Sequence, residues 1–150
     1  MNAAFYVDTL ADTEQNQSIF ALLNTLVETN AVKDASLFYN KIDFNSVPPK
    51  FGMFNATELW GFNGILISTT AKNALAASSI VNDIQNYYMF NRADVNIFEV
   101  IRVAQQMTIL VANPEDEAYV KRITGCEPLL SNLNSKVLEL LMKGEVCKSA

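Results

Sequence analysis

A run of apolar residues that breaks at once into hydroxyls and then alanines leaves a chain few architectures. Between Gly61 and Asp83 the sequence reads Gly-Phe-Asn-Gly-Ile-Leu-Ile-Ser-Thr-Thr-Ala-Lys-Asn-Ala-Leu-Ala-Ala-Ser-Ser-Ile-Val-Asn-Asp. Gly64–Ile67 is continuously apolar, the pattern of a strand buried on both faces rather than one. Ser68, Thr69 and Thr70 supply cap-type hydroxyls, and Ala71–Val81 is rich in small helix formers. A buried strand feeding such a helix is the central unit of a layered α/β domain.

The flanking sequence repeats the unit. Ala4–Val7 reads as a first strand, and the acidic stretch Asp8–Glu14 as a loop. Such a loop either faces a ligand crevice or is a solvated connection with cap residues. From Ser18, the residues Ile19, Leu22, Leu23, Leu26 and Val27 keep the spacing of an amphipathic helix, with Asn30 suited to a left-handed cap. Ser36–Tyr39 is a second strand, so a βαβ unit with parallel pairing fills the first forty or so residues.

Pro48–Pro49 makes Asn40–Lys50 irregular. Phe51–Phe54 predicts a brief strand, and Ala56–Trp60 one helical turn capped by Asn55. Phe44, Phe51, Phe54, Trp60 and Phe62 crowd this connection. They read as a cover over the sheet edge or, in the other reading, as a ligand or partner surface.

Beyond the central unit, Gln85–Asn91 predicts a strand and Asn91–Asp94 a turn. Ile97, Val100, Ile101 and Ala104 predict a helix capped by Asp94 or Asn96, and Met107–Val111 a buried strand. Asn113 caps the next helix, Pro114 opens it, Glu115, Asp116 and Glu117 oppose its dipole, and Gly125 stops it. Cys126–Leu130 reads as a last weak strand, Ser135–Met142 as a terminal helix ended by Gly144, and 145–150 as a frayed tail. Residues 1–150 thus predict one α/β domain: a three-layer sandwich, Rossmann-like, with a mostly parallel sheet.

Half of the residues are hydrophobic and 18% are charged, which excludes a disordered acidic segment. A net charge of −5 with no basic patch argues against nucleic acid as a partner. No stretch approaches the roughly 20 apolar residues of a membrane span, and the N-terminus lacks the basic region of a signal peptide. Cys126 and Cys147 cannot build a disulfide framework and read as reduced thiols of a cytoplasmic protein. With no histidine and no Cys-x-x-Cys spacing, neither a metal site nor a histidine-based triad is expected.

Glycine-rich phosphate loops are absent as well. Gly61-Phe62-Asn63-Gly64 precedes its strand, the wrong order for a dinucleotide fingerprint, so no cofactor is implied. Ser68, Thr69 and Thr70, with Lys72 close by, do lie at a strand's carboxyl end and a helix's amino end, where N–H groups attract anions. The other reading of these residues is ordinary N-capping. Asp8 and Asp12 complete the candidates, as paired acids near a strand end or as plain surface charges.

Five stretches carry a resemblance: Ala35-Ser36-Leu37-Phe38-Tyr39-Asn40, Pro48–Ala56, Gly64–Thr70 with its alanine-rich helix, Tyr87–Asn91 and Val111–Val120. In order and texture, over roughly Phe5 to Pro128, the chain resembles the N-terminal half-domain of GT-B type glycosyltransferases, including divergent phage and bacterial forms. In that family the C-terminal half binds the sugar nucleotide, and its donor-binding residues have no counterparts here. The resemblance implies a half-domain without the donor-binding half, acting by binding an acceptor glycan or a protein partner. Its alternative is a working transferase completed by a second chain or by dimerisation. A regulator of response-regulator type needs clustered acids at strand ends plus a lysine, and Asp8 and Asp12 lack a well-placed one.

Overall fold

The computed structural model describes residues 2–93 and 96–130. Its centre is one seven-stranded sheet, paired in parallel throughout. The elements are β1 (Ala3–Thr9), α1 (Glu14–Glu28), β2 (Ala35–Lys41), β3 (Gly52–Asn55), a 3-10 helix (Ala56–Gly61), β4 (Gly64–Ser68), α2 (Ala71–Ser78), β5 (Ile84–Met89), α3 (Ile97–Gln106), β6 (Thr108–Val111), α4 (Pro114–Thr124) and β7 (Leu129–Leu130). Strand order is β3-β2-β1-β4-β5-β6-β7. The chain builds outward from β1 in one direction, then crosses back to β4 and builds outward in the other. That is the doubly wound, Rossmann-like plan, and β4 is its middle strand.

The central strand is as buried as its composition requires: Ile65, Leu66 and Ile67 are each fully enclosed. Side chains alternate between the sheet's faces, so the two faces carry different cores. On one, Ile19, Phe20, Leu23 and Leu26 of α1 pack with Phe5, Leu37, Ile65 and Leu110. On the other, Ala71 and Ala74 of α2, Val100 and Val103 of α3, and Val120 of α4 pack with Tyr88, Ile109 and Val111. Next to these, Leu59 and Phe62 cover Tyr6, Phe38 and Leu66. Each large aliphatic side chain buried in this way contributes about 1.5–3 kcal/mol. The small side chains of α2 let it lie close over β4 and β5, which is why that helix is alanine-rich.

Cap residues fix the joints. Thr70 accepts from the backbone N–H of Asn73, Asn96 from Glu99 and Asn113 from Asp116. Asn55 caps the 3-10 helix through Thr57. Asn30 and Gly125 take positive φ, 53° and 70°, where the chain leaves α1 and α4.

Several boundaries differ from the sequence reading. The stretch Asp8–Glu14 is not a loop throughout: Asp8 and Thr9 finish β1, and Glu14 already begins α1. Thr13 caps that helix a full turn before the apolar spacing starts. α2 stops at Ser78 rather than Val81, because the hydroxyls of Ser78 and Ser79 fold back onto the carbonyls of Leu75 and Ala76. β5 ends at Met89 rather than Asn91, and within Cys126–Leu130 only Leu129–Leu130 pairs, Pro128 lacking an N–H to donate. The aromatic connection divides. Phe62 is buried and Phe51 packs edge-on against Phe20 at 5.2 Å, whereas Trp60 is 63% and Phe44 74% exposed. The predicted terminal helix Ser135–Met142, the tail 145–150, Asp94 and Cys147 lie outside the described residues. Among those described, no helix is long and apolar enough to cross a membrane.

Candidate functional site

β1 and β4 are hydrogen-bonded neighbours whose following helices leave toward opposite faces, the switch point outside whose carboxyl ends open α/β sheets bind their ligands. Two turns border it, and they differ in character.

The turn from β1 into α1 is closed by its own side chains. Asn16 is buried, and its amide donates to the carbonyls of Thr9 and Ala11, at 2.8 Å each. Asp12 accepts from Gln17 at 2.8 Å and from Ser46 at 3.0 Å. The Gln17 hydrogen bond, then those from Ser46, lower the Asp12 pKa below its ordinary 3.8. Dinucleotide folds keep this turn open with glycine so that a pyrophosphate can approach the backbone. Here an asparagine fills that space, and Asp12 and Glu14 surround it with negative charge.

The turn from β4 into α2 carries the polar groups left over. Register sets Tyr6 beside both Phe38 and Ser68, so β1, β2 and β4 present Tyr6, Asp8, Asn40 and Ser68 on the α2 face. The Tyr6 hydroxyl donates to Asn40 Oδ1 at 2.8 Å. Asn40 Nδ2 in turn donates to Asp8 Oδ1 at 3.1 Å and to Asn73 Oδ1 at 3.0 Å. Burial is the main cause raising the Tyr6 pKa, and the charge of Asp8 raises it further. The phenol is therefore a neutral donor at physiological pH.

Asn40 is fully engaged, but its neighbours are not. Asn73 is only 3% exposed and Ser68 fully buried, yet Asn73 Nδ2 and Ser68 Oγ have no hydrogen-bond partner. Leaving a polar group buried and unpaired costs about 1–3 kcal/mol, so both atoms are held at a cost to the fold. Charge is scarce at this edge. Lys41 Nζ lies 4.0 Å from Asp8, and Arg92, beyond the end of β5, is bonded to Asp116 at 2.6 Å and stacks over Tyr119 at 4.7 Å.

Of the residues singled out from sequence, Ser68, Thr69, Thr70 and Asp8 come together around this turn. Thr69 is buried and donates to the Tyr6 carbonyl at 3.4 Å, and Thr70 is the α2 cap. Lys72 stands exposed on the first turn of α2. Asp12 belongs to the other turn, so Asp8 and Asp12 have separate partners and do not work as a pair. Tyr6, Asn40 and Asn73 escaped the sequence reading. The polar residue just past the Ser-Leu-Phe-Tyr strand and the asparagine three residues after Thr70 were the only signals for two of them.

Comparison with protein-family models, curated proteins and solved structures finds no match to this chain.

Proposed function

We propose that this chain is a Rossmann-like domain of the kind that forms the N-terminal half of GT-B glycosyltransferases, and that it acts in the cytoplasm by binding an acceptor glycan. The observation carrying the reading is the linked cluster of Tyr6, Asp8, Asn40 and Asn73, with an amide donor and the Ser68 hydroxyl left unsatisfied beside it. Its chemistry is that of carbohydrate recognition: amides, a carboxylate and hydroxyls that match a neutral, hydroxyl-rich ligand in both donor and acceptor roles. It suits a diphosphate poorly. The nearby Asp8 repels one and offsets the charge of Lys41, 4.0 Å away, and a single helix terminus with Lys72 contributes on the order of 1 kcal/mol against the roughly 4–8 that millimolar-to-micromolar binding requires.

The test is a titration of amide-resolved NMR spectra with a panel of mono- and oligosaccharides and, separately, of nucleotide sugars. Saturable shifts of the Asn40 and Asn73 side-chain amides by a neutral sugar, lost in Asn73→Ala, support the reading. A nucleotide sugar bound in the micromolar range, and lost in Thr70→Ala and Lys72→Ala, overturns it in favour of a compact enzyme.

A second reading, a transferase completed by another copy of the chain, is favoured by the apolar rim of Met53, Phe54 and Trp60 on the edge strand β3 and the 3-10 helix. A dimer in native mass spectrometry that also hydrolyses a nucleotide sugar supports this second reading. A monomer without that activity removes it.

A further inference from the structure

On the opposite face of the sheet, a cavity of about 500 Å3 lies between the first turns of α1 and the carboxyl ends of β5 and β6. It falls within the roughly 300–1,000 Å3 of small-molecule sites. Phe5, Ile19 and Leu110 back it, and Leu22 and Met89 form its partly exposed walls. Its rim is polar, with Glu14, Gln15 and Ser18 on α1. Strand alternation separates it from the polar cluster: Phe5 and Met89 point toward α1, Tyr6 and its register partner Ser68 toward α2.

We propose that this cavity is a second binding site, for a small amphiphile with an alkyl or aryl body and an amine head. The apolar walls take the body, since its transfer from water is favourable in proportion to the area removed. The head is chosen by charge. Glu14 is the only charged residue among the described residues lining the cavity. The amino end of α1 does not make this an anion site, because Thr13 caps the Asn16 N–H and Glu14 and Asp12 already oppose the dipole. A carboxylate or phosphate head would sit beside Glu14 with no cation to offset it. An ammonium there gains a charge-assisted hydrogen bond from its N–H groups to that carboxylate, with Ser18 and the Gln15 carbonyl as further acceptors.

The experiment titrates the protein with octylamine, octanol and octanoate at neutral pH, followed by methyl NMR at Ile19, Leu22 and Met89. The expected order is amine, then alcohol, then acid, with the amine at least about fivefold tighter than the alcohol, as one charge-assisted bond provides. Ser18→Trp, at an exposed position on the rim, should block all binding. Glu14→Gln should remove the advantage of the amine over the alcohol while leaving the alcohol unchanged. Asn73→Ala should leave all three ligands unaffected, which separates this site from the polar cluster proposed to bind a glycan. Octanoate binding as tightly as octylamine, no saturable shift with any of the three, or an amine preference that survives Glu14→Gln overturns the proposal.

Discussion

At the scale of single residues, the most consequential group is the phenol of Tyr6. It holds Asn40 in place, and through Asn40 both Asp8 and Asn73, while its own ionisation is opposed chiefly by burial. A tyrosine whose folded pKa lies above the ordinary 10.0 keeps its proton in the native state at a pH where the unfolded chain has lost it. Its contribution to stability is complete below 10.0 and is lost as pH rises through the folded value. Tyr6→Phe should therefore lose about 1 kcal/mol at neutral pH, the worth of the hydrogen bond to Asn40. It should also show a shallower decline on the alkaline side. Urea midpoints of both proteins at about pH 8 and about pH 10.5 check this, and parallel declines would exclude Tyr6 as a source of the alkaline slope. None of this grouping was legible in sequence. Tyr6 and Asn40 are separated by 34 positions and Asn40 and Asn73 by 33, so only the strand register brings them together.

At the scale of elements, legibility followed burial. β4 was plain because every side chain from Ile65 to Ile67 is enclosed, and a strand covered on both faces cannot alternate. The helix start at Asn113 was equally readable, and Thr70 and Asn96 stood among the cap residues expected at theirs, since a side-chain oxygen ahead of a helix answers a local need of the backbone. The start of α1 was hidden because its first turn is polar: Glu14, Gln15 and Gln17 carry no apolar periodicity, and buried Asn16 serves the loop rather than the core. Gly64 shows how tightly two elements can be joined. It takes φ of 130°, and a Cβ there would collide with the carbonyl oxygen of Asn2, the same oxygen that accepts from the Ile65 N–H at 3.0 Å. Gly64→Ala should destabilise the protein by at least about 1–3 kcal/mol from the backbone conformation alone. Asn63→Ala, next to it but exposed, should change stability by less than about 0.5 kcal/mol. Denaturant titrations of the two variants make the comparison, and equal stability would show that β4 can shift away from Asn2 at no cost.

At the scale of the molecule, the doubly wound order spreads stability unevenly across one sheet. β1 and β4 are flanked by strands on both sides and covered on both faces, whereas β3 is an edge strand exposed at all four residues and β7 pairs through two residues only. Backbone hydrogen bonds open locally at a free energy set by how much packed surface must be disrupted. β3 has little: it is joined to β2 along one side, and its Phe54 packs at a tilt on Phe38, 5.9 Å between ring centres. β4 must break both neighbours and both cores to open. Native-state hydrogen exchange in low denaturant should therefore release β3 and β7 first. The amides of Phe5, Ile65 and Ile67 should exchange only with global unfolding. The polar cluster bridges these regimes, with Tyr6 and Asn73 in the protected centre and Asn40 exposed near the end of β2. A ligand spanning it should slow exchange at the end of β2 far more than in β4, because only the former has local opening left to suppress. Exchange in β3 as slow as in β4 would mean that its edge is covered in solution, the outcome expected if a second copy of the chain pairs there.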